Sequence, residues 1–291
     1  MKEFPKVFVV ILNFNGRNVL KDCLKSVFAS DYPDFSVVLV DNDSRDGSFE
    51  MAKEQFSRAY FIKNEKNIGF AAGNNVGIRF SLERGADWVW ILNNDTQVEP
   101  DALSKMVGAG KRGNFGILSP VIFEGGGNKI WFSGGRINWF KMRVEHFKEP
   151  FKEEVRESDF VTGCAMLVKK EVFKRAGLLD EDFFLYYEDA DFGERAARAG
   201  FLKGVVSGSW IYHLENSQKN FSGKLYWLVL SGSMFFQKNS RGIRKMSIAL
   251  LTFLRRAKNL KERIFFPGEK ARIIAKAFKD FKLYLKKNKD V

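Results

Sequence analysis

The chain has 291 residues and is 45% hydrophobic, enough for one large core or two smaller ones. No stretch approaches the roughly 20 consecutive apolar residues that cross a bilayer, and the longest, 225–236, is interrupted by Ser231-Gly232-Ser233. The formal charge of +13 is uneven: residues 219–291 hold 19 Lys+Arg against 4 Asp+Glu, net +15, whereas residues 1–218 hold 29 against 31, net −2.

A nearly neutral body with a basic tail points to an anionic partner, a membrane surface or nucleic acid; the alternative is a solvated helical face. The N-terminal MKEFPKVFVV lacks the cleavage pattern of a signal peptide, so a cytoplasmic protein is expected. Cys23 and Cys164 have no partner at metal-ligand spacing and are expected to be buried thiols.

The first 120 residues alternate strand and helix patterns. KVFVVILN (6–13) is a nearly continuous apolar run, as in a strand buried on both faces. Val19, Leu20, Cys23, Leu24, Val27 and Phe28 then fall on one helical stripe. FSVVLVD (35–41) predicts a second strand, 48–56 a second helix, and AYFIK (59–63) a third strand. A third helix is expected over 69–85, stopped by Gly85. DWVWILN (87–93) predicts a fourth strand, and Pro100-Asp101 opens another helix. This order implies an α/β fold with a parallel sheet and helices on both faces. Ligands bind such sheets at the carboxyl ends of the strands, which here carry Asn13, Asp41 and Asn93-Asn94-Asp95.

Residues 121–160, rich in glycine and aromatics, predict short strands and a mobile loop. VTGCAMLVKK (161–170) predicts a strand or two, 188–200 a helix and 204–213 a strand ending at His213. The tail is expected to be helical. In 268–288, Ile274, Phe278, Phe281 and Leu285 recur at helical spacing among lysines, which suits either a membrane surface or docking onto the body.

Several side chains carry chemistry. Asp95 serves as a turn former or as an oxygen ligand for Mg²⁺ or Mn²⁺, which need few protein ligands when a diphosphate supplies the rest. His213 is a buried or surface imidazole, or a ligand of that cation; His146 lies in a charged loop without such context. Asp41 is turn chemistry or an acceptor for a base or a ribose hydroxyl. Asp180, Glu181, Asp182, Glu188, Asp189 and Asp191 crowd among aromatics, more acids than a helix start requires. Desolvation there would raise a carboxyl toward a usable general base. Arg195, two turns after Glu188, is placed to tether one acid.

The ordered set VVILNFNG, VDNDSRDGS, NIGFAAGNNVG, LNNDT, GCAMLVKK and DEDFFLYYEDADFGERAARAG, followed by a histidine, resembles the family 2 glycosyltransferases of the GT-A fold, closest to the rhamnosyltransferase-like branch. It covers residues 5–217, roughly three quarters of the chain. It implies a GT-A domain over 1–217, with a nucleotide-binding half (1–120) and an acceptor and catalytic half (121–217), before a basic helical tail (218–291). It also implies an inverting transferase that moves rhamnose or another hexose from a UDP- or dTDP-linked donor to a glycan or lipid-linked acceptor. Asn13, Asn15, Asp41, Asn42, Asn67, Gly69, Asn74, Asn93 and Asn94 match the positions beside the nucleotide. Asp95 matches the last acid of the metal-binding Asp-x-Asp, and His213 the histidine that completes the site for Mn²⁺ or Mg²⁺. Asp189 matches the catalytic base, with Glu188 beside it. The first acid of the Asp-x-Asp is Asn93 here, which keeps a nucleotide-sugar-binding relative without transfer activity as an alternative.

Trp131, Phe132 and Trp139 are candidates to line the acceptor site or simply to fill the core. A nucleotidyltransferase would want a glycine-rich phosphate loop after the first strand, and NFNGRN supplies none. A nucleic-acid binder would leave the acidic cluster and the strand-end amides unexplained, so no nucleic acid is expected. Peripheral attachment of the tail to the cytoplasmic membrane face is expected from its charge.

Overall fold

The computed structural model describes residues 4–125, 127–214 and 221–287. The expected boundary at 217 lies outside them. The elements run β1 (Val7–Asn13), α1 (Leu20–Phe28), β2 (Phe35–Asp41), α2 (Ser48–Gln55), β3 (Tyr60–Lys63), α3 (Phe70–Glu83), β4 (Trp88–Asn93), β5 (Thr96–Val98), α4 (Ala102–Arg112) and β6 (Phe115–Glu124). There follow β7 (Ile130–Phe132), β8 (Gly135–Asn138), β9 (Arg143–His146), β10 (Val155–Glu157), β11 (Ala165–Lys169), α5 (Lys170–Ala176), α6 (Glu188–Arg198) and β12 (Leu202–His213). Three helices close the chain: α7 (Phe221–Asn239), α8 (Ile243–Phe265) and α9 (Glu269–Lys287).

The main sheet runs β10-β12-β6-β11-β4-β1-β2-β3, with β5 on β12 and β7 on β6. Strands β1 to β4 are parallel, as their apolar runs predict. The sheet as a whole is mixed, because β11 inserts antiparallel between β4 and β6. Alternation along the buried strands makes two cores. Val9, Ile11, Leu39 and Trp90 face α1, α4 and, further along, Phe235 and Phe236 of α7. Phe8, Val10, Val38 and Ile91 face α3, α5 and α6. Each such side chain contributes about 1.5–3 kcal/mol on burial. Helix α3 lies close on β1: a Cβ at Gly77 would stand 2.4 Å from Val10 Cγ1.

The register sets the functional edge. Asn13 pairs with Asp41, and Leu12 with Asn93, so β1, β2 and β4 end their apolar runs at one level. The antiparallel β11 starts there too, and Asn93 N donates to Cys164 O at 2.9 Å. Both cysteines are buried and neither is in a disulfide.

The region 121–160 is more regular than its composition suggests, with β8 and β9 forming a separate two-stranded ribbon. The helices after 220 are packed on the body, not appended to it. Ser231 Oγ of α7 donates to Leu185 O at 2.8 Å, and Phe235 and Phe236 pack against Trp139. In α9, Ala277, Phe278 and Phe281 are buried, so the apolar stripe of 268–288 is largely spent on docking. Among the described residues no helix is long and apolar enough to cross a membrane.

Candidate active site

A buried amide–carboxylate lock holds the strand ends together. Asn13 Nδ2 lies 2.8 Å from Asp41 Oδ1, 3.0 Å from Ser44 Oγ and 2.9 Å from Ser48 Oγ. Ser44 N donates to the other Asp41 oxygen at 2.8 Å, and Asn94 Nδ2 donates to Asn13 Oδ1 at 2.8 Å. Asn13 and Asp41 are both fully buried and line neither cavity described below. Gly16 makes room for the lock: a Cβ there would stand 2.3 Å from both Asn13 Oδ1 and Asn94 Nδ2. Asn15 is exposed, with φ 53°, and accepts from Arg45 N. Asn74 is buried one turn into α3, donates to Phe70 O and leaves its Oδ1 without a partner.

In front of the lock lies a cavity of about 440 Å³ whose walls include Asn42, Asn67, Gly69, Asn93, Asn94 and Asp95. Asn42 Nδ2 donates to Gly69 O at 3.0 Å, and Asn67 Oδ1 accepts from Gly69 N at 2.9 Å. Gly69 has φ 88°, and a Cβ would meet Phe184 O at 2.6 Å, so only glycine fits this turn. The far wall comes from α7: Trp227 stacks on Phe184 with centroids 4.6 Å apart, and Lys224 lies beside it. No pattern in the tail marks this helix as a wall of the site.

Asp95 also borders a second cavity of about 220 Å³, shared with Trp131, Gly163, Cys164, Glu188, Asp189 and His213. The short strand β5 explains the meeting of Asp95 and His213. It pairs Thr96 with His213, and Leu214 N donates to Asp95 O at 2.8 Å. His213 Nε2 then lies 3.2 Å from Asp95 Oδ1. The approach is not aligned as a hydrogen bond, and both atoms are otherwise unpartnered and buried. Burial alone would push the imidazole down; the neighbouring Cys164 sulfur and the Asp95 carboxylate outweigh it and raise it to about 11.

Two adjacent ligands about 2.1 Å from an octahedral cation stand about 3 Å apart, so the pair fits Mg²⁺ or Mn²⁺. Such a cation would replace the imidazole proton. Among the described residues no group of three or more His, Cys, Asp or Glu side chains is placed to hold a metal by itself. The remaining ligands would come from a diphosphate. His146, half-buried on β9 against Trp131, Phe132 and Phe160, is pushed down to about 4, chiefly by desolvation.

Glu188 and Asp189 begin α6, after two successive left-handed residues, Tyr186 (φ 66°) and Tyr187 (φ 67°). Such conformations cost about 1–3 kcal/mol each and persist where packing enforces them; Tyr187 lies against Phe235 and Phe236. Asp189 is half-buried, and its oxygens accept from Gly163 N at 2.8 Å and Ala190 N at 2.7 Å. Burial outweighs these bonds and raises its carboxyl to about 6. Glu188, 4% exposed with Oε2 unpartnered, is raised well above the usual range, first by burial and then by the Asp189 charge. The pair therefore holds one proton more tightly than the other, which suits a base working near neutral pH.

The other acids of the cluster are structural. Asp180 pairs with Lys238, and Glu181 with Arg79 and Asn75. Asp191, fully buried, accepts from Arg195 Nε at 2.8 Å and from Asn239 at 2.9 Å. Arg195 thus tethers the acid four residues before it, not Glu188. Of the three candidate aromatics, only Trp131 reaches the cleft, its ring 4.8 Å from His213. Phe132 is core, and Trp139 packs under α7.

The glycosyl transferase family 2 model matches residues 8–177, more than half of the chain, including the carboxyl ends of β1, β2 and β4. The chain belongs to glycosyl transferase family 2. The transferase is 28% identical over 193 residues to a low-salt glycan biosynthesis hexosyltransferase of Haloferax volcanii, covering 65% of this chain and 61% of that protein. It is 25% identical over 232 residues to an N-acetylglucosaminyl-diphospho-decaprenol L-rhamnosyltransferase of Mycobacterium tuberculosis, covering 70% and 75%. A dTDP-rhamnosyl transferase of Shigella flexneri is 25% identical over 212 residues, covering 71% and 68%. Among solved structures, the mannosyltransferase PcManGT of Pyrobaculum calidifontis, in complex with GDP-Man and Mn²⁺, superposes with a TM-score of 0.61 at 15% identity, over 99% of this chain and 81% of that one. The GT-A fold implied by the motifs is thus shown.

Proposed function

We propose that this transferase moves a hexose, rhamnose or a close relative, from a UDP- or dTDP-linked donor to a hydroxyl of a glycan or lipid-linked acceptor, with inversion at the anomeric carbon. The observation that carries the reading is the position of Asp95. It stands where the two cavities meet, with His213 beside it and the Glu188-Asp189 pair across the smaller one.

The nucleoside fits the larger cavity, where the Asn67 amide offers hydrogen bonds and Trp227 an apolar ring, while Asn42, buried and bonded to Gly69 O, Asn67 and Asn64, holds that wall in place. Asp41 acts indirectly, by fixing Asn13 and Asn94 and so the turn that presents Asp95; its burial keeps it from the base. Asp95 and His213 would hold a divalent cation, which supplies positive charge to the departing diphosphate. Asn93 in place of an acid leaves the site one negative charge short, so cation and nucleotide bind together.

The acceptor enters the smaller cavity. Asp189 takes the proton of its hydroxyl as the oxygen attacks, and Gly163 N and Ala190 N hold the carboxylate in place. Burial and the Asp189 charge favour the neutral form of Glu188. One base on the acceptor side and no covalent intermediate give inversion. Trp131 walls this cavity beside His213.

The test is to incubate the transferase with UDP- and dTDP-hexoses, Mn²⁺ and a diphosphate-linked lipid glycan, and to assign the product anomer by NMR. Release of nucleoside diphosphate with an inverted product supports the reading. A retained configuration overturns the single-displacement mechanism; no release with any donor overturns the reading and leaves the nucleotide-binding relative without transfer activity.

A further inference from the structure

Helix α8 is built the wrong way round for a soluble protein. Its buried residues are Ile248 and Asn259, eleven apart on one narrow stripe, and the Asn259 amide is bonded to Ala271 O of α9. On the opposite side Ile243, Met246, Leu250, Phe253, Leu260 and Ile264 recur at helical intervals and are between 55% and 82% exposed. The helix carries seven Lys and Arg and a single acid, Glu262. A contiguous apolar face of this kind on an exposed helix marks an interaction surface.

The body-facing side of the helix packs near a second exposed aromatic. At the tip of the β8–β9 ribbon Phe140 is 86% exposed, beside a cavity of about 340 Å³ that the ribbon shares with Arg244, Ser247 and Ile248. The ribbon is tied to α8, because Arg255 donates to Lys141 O and Arg244 lies 5.2 Å over the Trp139 ring. Between α8 and α9 runs a groove of about 520 Å³ with Phe253, Leu260 and Phe278 in its floor and Arg256, Arg263 and Lys282 at its rim.

Charge decides the occupant. A second copy using the same face would set one strongly basic helix against another. A nucleic acid would match the charge and leave the apolar stripe in water. An anionic bilayer satisfies both, with apolar side chains at the acyl boundary and Lys and Arg reaching the headgroups. We propose that the outward face of α8 lies in the headgroup layer of an anionic membrane with the helix axis along the surface. The helix then lies on the membrane and does not span it, in keeping with its charge density. Because α7 packs on both α8 and α9 and supplies Trp227 to the cleft, docking would hold the cleft beside the membrane whatever sugar it transfers. The surface does not depend on the proposed reaction.

The test is flotation of the full-length chain with phosphatidylglycerol-containing or pure phosphatidylcholine vesicles. The chain is expected to float with the anionic vesicles at low salt, less so at high salt, and to stay behind with the neutral ones. The triple variant Leu250→Ser, Leu254→Ser, Ile264→Ser alters exposed positions only, so it should keep its melting temperature and lose at least about tenfold in partitioning. The pair Arg256→Glu, Arg263→Glu should lose the preference for anionic vesicles. A wild-type chain that stays unbound at low salt overturns the proposal. So does a triple variant that floats like wild type. If the wild type sediments as a dimer without binding vesicles and the triple variant as a monomer, a second copy covers the stripe and the membrane assignment is wrong.

Discussion

Replacing Asp189 with Asn should stabilise the fold while abolishing transfer. Burial raises the Asp189 carboxyl from 3.8 to about 6, so at neutral pH the folded chain carries a charge it disfavours. Two pKa units correspond to about 3 kcal/mol. Asn keeps an acceptor for one of the two backbone N–H groups; the other loses its bond, which costs about 1 kcal/mol. The net gain should be about 1–2 kcal/mol, or a melting temperature several degrees higher. The sign follows from linkage. A raised carboxyl pKa makes the wild type lose stability as pH rises through about 6, so the advantage of the variant is full above that value. It shrinks as pH falls toward the unfolded carboxyl value of about 4 and vanishes below it. Paired thermal melts from pH 4 to pH 8 with a transfer assay measure both effects. An advantage that does not change with pH, a less stable variant at pH 8, or a variant with wild-type turnover would refute the assignment of Asp189 as a strained base.

Further outcomes follow from other contacts. Trp227→Ala should weaken nucleotide binding by about 1–3 kcal/mol, the range for an aromatic platform under a base, as read by calorimetry; unchanged affinity would place the nucleoside elsewhere. Gly16→Ala should break the Asn94–Asn13 bond, cost about 1–3 kcal/mol in chemical denaturation and weaken metal-dependent nucleotide binding through the displaced turn. Arg195→Ala should leave Asp191 short of its main cation and cost about 3 kcal/mol, with no direct effect on nucleotide affinity.

The parts of the architecture legible in the sequence were those where burial leaves a continuous pattern. Strands β1, β2 and β4 are covered on both faces, so their apolar runs stand out and their polar ends mark the functional edge. Strand β5 was hidden because three residues after a turn have no periodicity, yet it alone puts His213 opposite Asp95. A carboxylate at a strand end can face a ligand or its own neighbours. Asp41 faces its neighbours because Ser44 N and the Asn13 amide fold back onto it, and strand patterning cannot report that. The acidic cluster read as one feature because the sequence shows spacing and not partners: Lys238, Arg79 and Arg195 claim three of its six acids, Asp182 is exposed, and Glu188 and Asp189 are left to the cleft. In the tail, the amphipathic pattern of 268–288 is real and is used for packing. The outward apolar face belongs to α8, where only the tertiary arrangement says which side meets the body.

The measurement that bears most directly on the account is nucleotide binding with and without Mn²⁺, by thermal shift, for UDP, dTDP, GDP and CDP against wild type and Asp95→Asn. A ligand at a hundred times its Kd adds about 2.7 kcal/mol of stability. The account predicts a shift for UDP or dTDP that requires Mn²⁺ and disappears in Asp95→Asn. The same shift without metal and in the variant, or no shift for any of the four nucleotides, would contradict it.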